Sequence, residues 1–484
     1  MFGGGSGWAG PPAISCALLV LLLPAPLRAQ DAPDDAQQLA SAMQAAVTRG
    51  VRWLSNQQKP EGHWVYDNRP LQLSSYPMQS GVTALCALAL IKCGVSPEEE
   101  TVRKAFEAIH REGFKFTYEV GCILLALEAK AHYDPQRKVI QPPGQEGFVT
   151  RERGGKKKKK KKKKARLDPR DLALAKACVE WLVDHQRDTG LWRYSAGSDE
   201  DVSNAQYALL GLDAAERLGV SVPKSVYVKA ARRLVEIQHP VLDADKDAKL
   251  DPFPVPGADR SFRALKKIEA QLLKELKKVD RRFRKLGEDE RDRDGYTRAE
   301  RVATVERKAA ERIRSGERRP MVPRGWQYFA PGSGGSAWQR TVTGSLTCSA
   351  LASLFICKAR LEGNSAYRGD LPERVDQALR DGAAWLALHF EVKRNPGAPM
   401  HQLYYLYGLE RAGVLGLVHR FGKHAWYDEG TRHLLRQQRS NGSWLGTGST
   451  SGPVPDTCFA LLFLSRGTTP VVRIPGRVMT GTGR

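Results

Sequence analysis

The residues able to do chemistry sit at the heads of short apolar stretches. Glu119, Asn204, Gln402 and Asp456 each open nine residues that are otherwise mostly apolar. A polar side chain in that place caps the first turn of a helix and answers its dipole, or it forms the polar rim of an enclosed space. The stretch opened by Gln402 carries Tyr404, Tyr405 and Tyr407, three aromatic faces with three hydroxyls. Tyrosine at helical spacing belongs to a core more often than to a ligand site. Trp326, Tyr328, Phe329 and Trp338 lie in a glycine-rich loop ahead of another apolar stretch, where they could form a mouth. The run from Glu290 to Gly295 has the outline of a calcium loop. One residue is missing after Gly295, however, and Arg301 stands where a bidentate acid belongs. No GxSxG, HExxH or phosphate-binding loop occurs, so none of the reactions those motifs carry is indicated.

These residues must be positioned by a repeated element. Segments 82–90, 119–127, 204–212, 346–354, 402–410 and 456–464 share one shape, apolar nearly all round with small residues at regular intervals. A helix of that kind is buried. Each is preceded by a segment with a single apolar stripe at helical spacing. The first is 39–58 (Leu39, Met43, Ala46, Val47, Val51, Leu54), and 98–112, 171–186, 224–238, 372–390 and 424–438 follow. Six pairs of one amphipathic and one apolar helix predict an all-α fold with the apolar helices inside. A closed double ring, an (α/α)6 toroid, buries every repeat against two neighbours and needs no capping repeats; an open solenoid is the alternative.

Three turns between paired helices repeat one pattern: Gln58-x-x-x-Gly62-x-Trp64, Gln186-x-x-x-Gly190-x-Trp192 and Gln438-x-x-x-Gly442-x-Trp444. Glycine permits the tight turn, and tryptophan offers an apolar plate with one N–H. With the helices around them, these turns resemble the repeat of the prenyltransferase and squalene oxidase family, which includes the squalene cyclases. The resemblance covers about residues 36–135, 170–240 and 325–466. The run Met400–Gly413 is similar to one found in exported bacterial members of that family.

The resemblance implies a toroid whose inner helices point their N-termini at a central cavity. Val82, Glu119, Asn204, Leu346, Gln402 and Asp456 would then line it, with Tyr404, Tyr405 and Tyr407 beside them. In protonating squalene cyclases an Asp-x-Asp-Asp run supplies the acid. The matching run here is Asp201-Val-Ser-Asn204, which keeps only the first Asp; neither Ser203 nor Asn204 can deliver a proton. In protein prenyltransferases an Asp-x-Cys pair and a histidine hold zinc. Asp456-Thr-Cys458 fits the pair, but His401 is out of register and a third ligand is lacking. Asp456, Asp201 and His401 are thus weak catalytic candidates, Asp456 and Cys458 weak metal candidates, and no cofactor is expected.

The formal charge of +23 over 484 residues is local. Lys156–Lys164 is a run of nine lysines, and residues 260–319 hold 21 basic against 12 acidic side chains, so these two segments supply +18 of it. The repeated body is close to neutral, which points away from specific nucleic-acid recognition. The basic segments belong to two insertions in a body spanning 36–466. One, 133–169, is lysine-rich and expected to be disordered. The other is 240–322, where Leu265, Ile268, Leu272, Val279, Phe283 and Leu286, then Val302, Val305, Ala309 and Ile313, predict a projecting antiparallel helical hairpin with one narrow apolar seam. Both offer a surface to an anionic partner. A tail, 467–484, follows the body.

Ile14–Leu23 is apolar but too short to span a bilayer. With Pro24–Ala29 behind it, the stretch 1–29 reads as an export signal, which would place the protein in a periplasm or outside the cell. The seven cysteines beyond it form no CxxC and are odd in number, as expected of buried thiols. Together these features predict an exported, non-catalytic toroid that holds an apolar or glycan-like ligand, or a protein, at its central cavity. The alternatives are a divergent terpenoid cyclase or prenyltransferase-like enzyme, and an envelope scaffold working through its basic insertions.

Overall fold

The computed structural model describes residues 32–65, 78–137, 139–140, 167–194, 199–286, 298–315 and 319–473. The export signal, the lysine run, the turn at 290–295 and the last part of the tail lie outside the described residues. Helices α1 (Ala32–Asn56) and α2 (Gln79–Lys92) form the first pair, α3 (Glu100–Glu112) and α4 (Thr117–Ala131) the second, α5 (Pro169–Asp184) and α6 (Val202–Leu218) the third. The fourth begins with α7 (Lys224–Glu236) and is interrupted by α8 (Pro256–Asp259), α9 (Phe262–Lys285) and α10 (Arg298–Arg314) before its second member, α11 (Gly344–Leu361). Then come α12 (Leu371–Leu388) with α13 (Gln402–Gly416), and α14 (Trp426–Gln437) with α15 (Pro453–Leu464).

The second members make a closed inner ring. Helix α2 packs on α4, α4 on α6, α6 on α11, α11 on α13, α13 on α15, and α15 returns to α2. The first members lie outside: α3 on α2, α5 on α4, α7 and α12 on α11, and α1 against α14 and α15. The fold is therefore an all-α (α/α)6 toroid. Burial follows the sequence pattern. In α2 every residue from Ser80 to Lys92 is buried, whereas α3 buries one stripe, Val102, Ala105, Phe106, Ala108 and Ile109. No helix among the described residues is long and apolar enough to cross a membrane.

The repeated turns are the braces of the ring. Trp64, Trp192 and Trp444 are fully buried, and each donates its indole N–H to a carbonyl of the preceding outer helix, Leu54, Leu182 and Leu434, at 2.7–2.8 Å. The motif glutamine donates twice, once within its own turn and once to the next outer helix. Gln186 Nε2 thus reaches Gly190 O at 2.8 Å and Val226 O at 2.9 Å. Gly190 has φ +119°, and a Cβ there would lie 2.5 Å from the carbonyl oxygen of Lys229, so the close approach itself demands glycine. Gln438 and Gly442 make the same contacts with Ala46 and Arg49 of α1, tying the last repeat to the first.

A fourth copy of this brace is split by the long insertion. Gln238 donates to Ala378 O and Arg324 O, and Trp326 Nε1 donates to Leu234 O at 2.8 Å. Trp326 is thus a structural plate, not part of a mouth as its loop suggested. Between Gln238 and Trp326, α9 and α10 pair antiparallel, as the contacts of Arg298 with Asp280 and of Arg312 with Gln271 define. Their base is seated on the C-terminal end of the ring, where Lys358 donates to Ala258 O and Glu362 accepts from Phe262 N.

Candidate ligand cavity

The N-terminal ends of the six inner helices surround a cavity of about 580 Å³. Each inner helix reaches it at or just before its first turn, through Gly81, Tyr118, Ser203, Ser345 and Pro455, and through His401 immediately before α13. A deeper layer is supplied by Leu85, Cys122, Tyr207, Tyr404 and Phe459. Tyr328, Phe329 and Trp338, from the loop before α11, and Tyr194 complete the wall.

This lining differs from the expected column by one residue. Of that column only the two apolar members, Val82 and Leu346, reach the cavity. The four polar members, Glu119, Asn204, Gln402 and Asp456, do not line it. Each is buried and occupied elsewhere. Glu119 accepts from the backbone N–H groups of Lys115 and Phe116. Asn204 gives its side-chain amide to Asp201 at 2.7 Å. Gln402 joins Val392 O, His433 Nε2 and Thr447 N, tying α13 to α14 and to the loop before α15. Asp456 accepts from Gly446 N at 2.8 Å, and burial pushes its carboxyl up to about 6. A polar head on a buried helix answers backbone groups first, because unpaired amides in that position are costly.

The three tyrosines of α13 also part company. Tyr404 faces the cavity. Tyr405 is fully buried and packs where Gly344 leaves room for its ring. Tyr407 lies under the guanidinium of Arg411, 3.7 Å from ring centre to charge. Neither lines the cavity.

Asp201 and His401 both do. Asp201 caps α6, accepting from Asn204 N and Nδ2 at 2.7 Å each, and hydrogen-bonds to the side chain of Tyr328. Burial outweighs these bonds and raises its carboxyl to about 7. His401 has left-handed backbone (φ 65°) and meets Thr450 Oγ1 through Nδ1 at 3.2 Å. Burial holds its pKa at about 4, so the ring is neutral near pH 7.

The zinc-type candidates do not converge. Asp456 faces Gly446, Cys458 Sγ lies 3.6 Å from Cys86 Sγ, and His401 faces Thr450. No three metal-ligating side chains meet anywhere among the described residues, so this donor set does not fit a zinc ion.

The chain is similar in structure to the type II terpene cyclase MstE from Scytonema. Three structures of variants of that enzyme, with the substrate geranylgeranyl dihydroxybenzoate or the product merosterolic acid A, align with 89% of this chain and 98–99% of theirs. Identity is 13–14% and the TM-score 0.31. No protein-family model matches the chain, and no curated protein does. At that identity and score the likeness bears on neither ligand nor reaction, and the toroid rests on this chain's own helix contacts.

Sequence reasoning missed Tyr118, Tyr207 and Gln206 and gave Ser203 no role beyond an absent acid. Ser203 is the centre of a row of hydroxyls, in contact with Tyr118 Oη and 2.7 Å from Tyr404 Oη. The available signal was the column one position earlier in the repeat. What the arrangement can do is present hydroxyls and aromatic faces to a largely apolar space.

Proposed function

We propose that the toroid is an exported binding protein that holds a mainly apolar small molecule between the N-terminal ends of its inner helices. The wall itself carries this reading. Val82, Leu85, Leu346 and Phe459, with the rings of Tyr118, Tyr207 and Tyr328, enclose about 580 Å³, within the usual range for small-molecule pockets. The serine at the centre of that wall, held by two tyrosine hydroxyls, suits retention of a ligand better than proton delivery. The basic insertions add a surface for anionic partners.

Native mass spectrometry of the protein purified from its own cells tests this. A small molecule is expected to co-purify and to leave on denaturation. Leu85→Trp, which fills the cavity, should abolish its retention while far-ultraviolet circular dichroism is unchanged. A protein that carries no small molecule and shows no thermal shift with a lipid extract of those cells would refute the reading. Sequencing of the mature N-terminus tests export, with a start near Gln30 expected.

A second reading, a divergent terpenoid cyclase, is favoured by one observation. Asp201 faces the cavity with its carboxyl raised to about 7, so an acid still protonated near neutrality is at hand. Incubation with linear polyprenes would then give a cyclic product of unchanged mass, lost in Asp201→Asn.

A further inference from the structure

Behind the cavity wall lies a cation that meets phenols and an amide instead of a carboxylate. Arg411, on α13, is 1% exposed. Its Nη1 donates to Gln206 Oε1 at 2.7 Å and its Nη2 to Tyr207 Oη at 3.2 Å. Its guanidinium lies 3.7 Å from the ring centre of Tyr407 and 4.9 Å from that of Tyr207. The Nε–H has no partner. The acid next to it in sequence, Glu410, bonds instead to Thr468. A buried charge with no carboxylate in hydrogen-bond contact is costly and needs compensation from somewhere.

The hydrogen bonds around Arg411 lead to the cavity. A guanidinium only donates, so the amide of Gln206 turns its oxygen to Arg411. Its NH₂ then donates to Ser349 Oγ at 2.9 Å and to Tyr404 Oη at 3.2 Å. Tyr404 Oη is also hydrogen-bonded to Ser203 Oγ at 2.7 Å, with either hydroxyl able to donate. Ser203 Oγ is hydrogen-bonded in turn to Tyr118 Oη, again with either as donor. The row Arg411–Gln206–Tyr404–Ser203–Tyr118 thus reaches the cavity wall, and its hydrogen bonds polarise one another. Tyr118 also hydrogen-bonds to Tyr194, and that string runs on through Tyr328 to Asp201. A ligand oxygen arriving at Tyr118 therefore takes the place of one hydroxyl in this string.

We infer that Tyr118, Ser203 and Tyr404 form a head-group site for the carboxylate of an otherwise apolar ligand, with Arg411 as its buried counter-charge. The apolar body would lie on Val82, Leu85, Leu346 and Phe459. This rests on the cavity reading above and names the ligand class. An anion is favoured over a neutral oxygen because the Arg411 charge acts through a poorly screened interior. Asp199 and Asp201 both line the cavity, and below pH 7 Asp201 is largely protonated and does not oppose an anion.

Equilibrium binding of dodecanoic acid, its methyl ester and dodecanol at pH 6, followed by isothermal titration calorimetry, tests the inference. The acid is expected to bind at least about tenfold more tightly than the ester or the alcohol. Tyr118→Phe and Arg411→Met should each bring that ratio close to one. If Arg411→Met fails to fold, Tyr118→Phe at the cavity surface decides. Equal binding of acid and ester by the wild type overturns the head-group site and leaves the apolar cavity standing. Binding of none of the three overturns both. A ratio that survives in Tyr118→Phe overturns the assignment to this hydroxyl row.

Discussion

At the N-terminal end of the inner ring, Tyr118, Ser203 and Tyr404 share protons around an open cavity. At the C-terminal end, Lys92, Glu128, Arg217, Asp213 and Arg360 are locked in ion pairs. The helix dipoles set this asymmetry. Six C-termini converge at the closed end and favour cations, and Lys358 and Arg137 join the group there, Arg137 donating to the carbonyls of Ser465 and Arg466. The segment after α15 lies across that end, with Thr469 between Lys92 and Glu128. Six N-termini converge at the cavity, where Asp201 and Glu119 accept backbone amides. Charge closes one end of the ring, and hydroxyls and rings are left to face the space at the other. Such a division predicts that the closed end answers for stability and the open end for ligand.

The largest effect should come from the closed end. Glu128 is 3% exposed. Burial works against its charge, but Lys92 and Arg217 outweigh it and hold the carboxyl at about 2. Removing one partner of a buried cluster leaves the others uncompensated and costs about 3–5 kcal/mol. Glu128→Gln should therefore lower the urea midpoint strongly at pH 7. The folded pKa lies below the unfolded value of about 4.3, so the contribution is complete above that value and is lost as pH falls toward 2. The wild type should lose its advantage over Glu128→Gln across that window. A variant as stable as the wild type at pH 7 would break the comparison outright.

The toroid was legible in the sequence because its signal is redundant. Six apolar helices, six amphipathic partners and three identical turns all require the same packing. The fourth turn escaped notice because α8, α9 and α10 separate Gln238 from Trp326, although the fold restores the contact. The cavity wall was misread by one position. Successive helical residues turn about 100°, so Ser203 faces the cavity while Asn204, beside it, turns back to Asp201. Polarity marked the capping column, and nothing in one sequence distinguishes a polar cap from a polar wall. Arg411 was equally opaque. Nothing in the sequence singles out Arg411, and only the side-chain contact of α13 with α6 across the ring shows it to be buried against Tyr207.

An effect of opposite sign in pH belongs to the cavity end. Asp201 keeps its proton to about pH 7 in the folded chain but only to about 3.9 when unfolded. Its burial therefore favours the folded state below pH 4, and that contribution is lost as pH rises through 7. Asp456 and Glu410, raised to about 6 and 7, slope the same way, so the readout is the difference between wild type and Asp201→Asn. The variant, which keeps a capping side chain, should gain on the wild type by at most about 4 kcal/mol between pH 4 and pH 8. A difference that does not change with pH would mean that Asp201 is ionised throughout and that the two ends of the ring treat acids alike.

The smallest effect on stability should be that of Tyr404→Phe, and it sharpens the comparison most. The hydroxyl removed bridges Ser203 and Gln206, yet each keeps a partner without it, Ser203 through Tyr118 and Gln206 through Ser349 and Arg411. Tyr404 is half-buried at the cavity, so water can take the place of the lost oxygen. About 1 kcal/mol or less is expected, well below the cost of Glu128→Gln, together with weaker ligand retention in native mass spectrometry. If Tyr404→Phe instead destabilised the chain as much as Glu128→Gln, the hydroxyl row would be a brace like the Gln–Trp turns. The cavity would then be a by-product of closing the ring. A small loss of stability with a large loss of ligand is the pattern of a wall kept polar for what it holds.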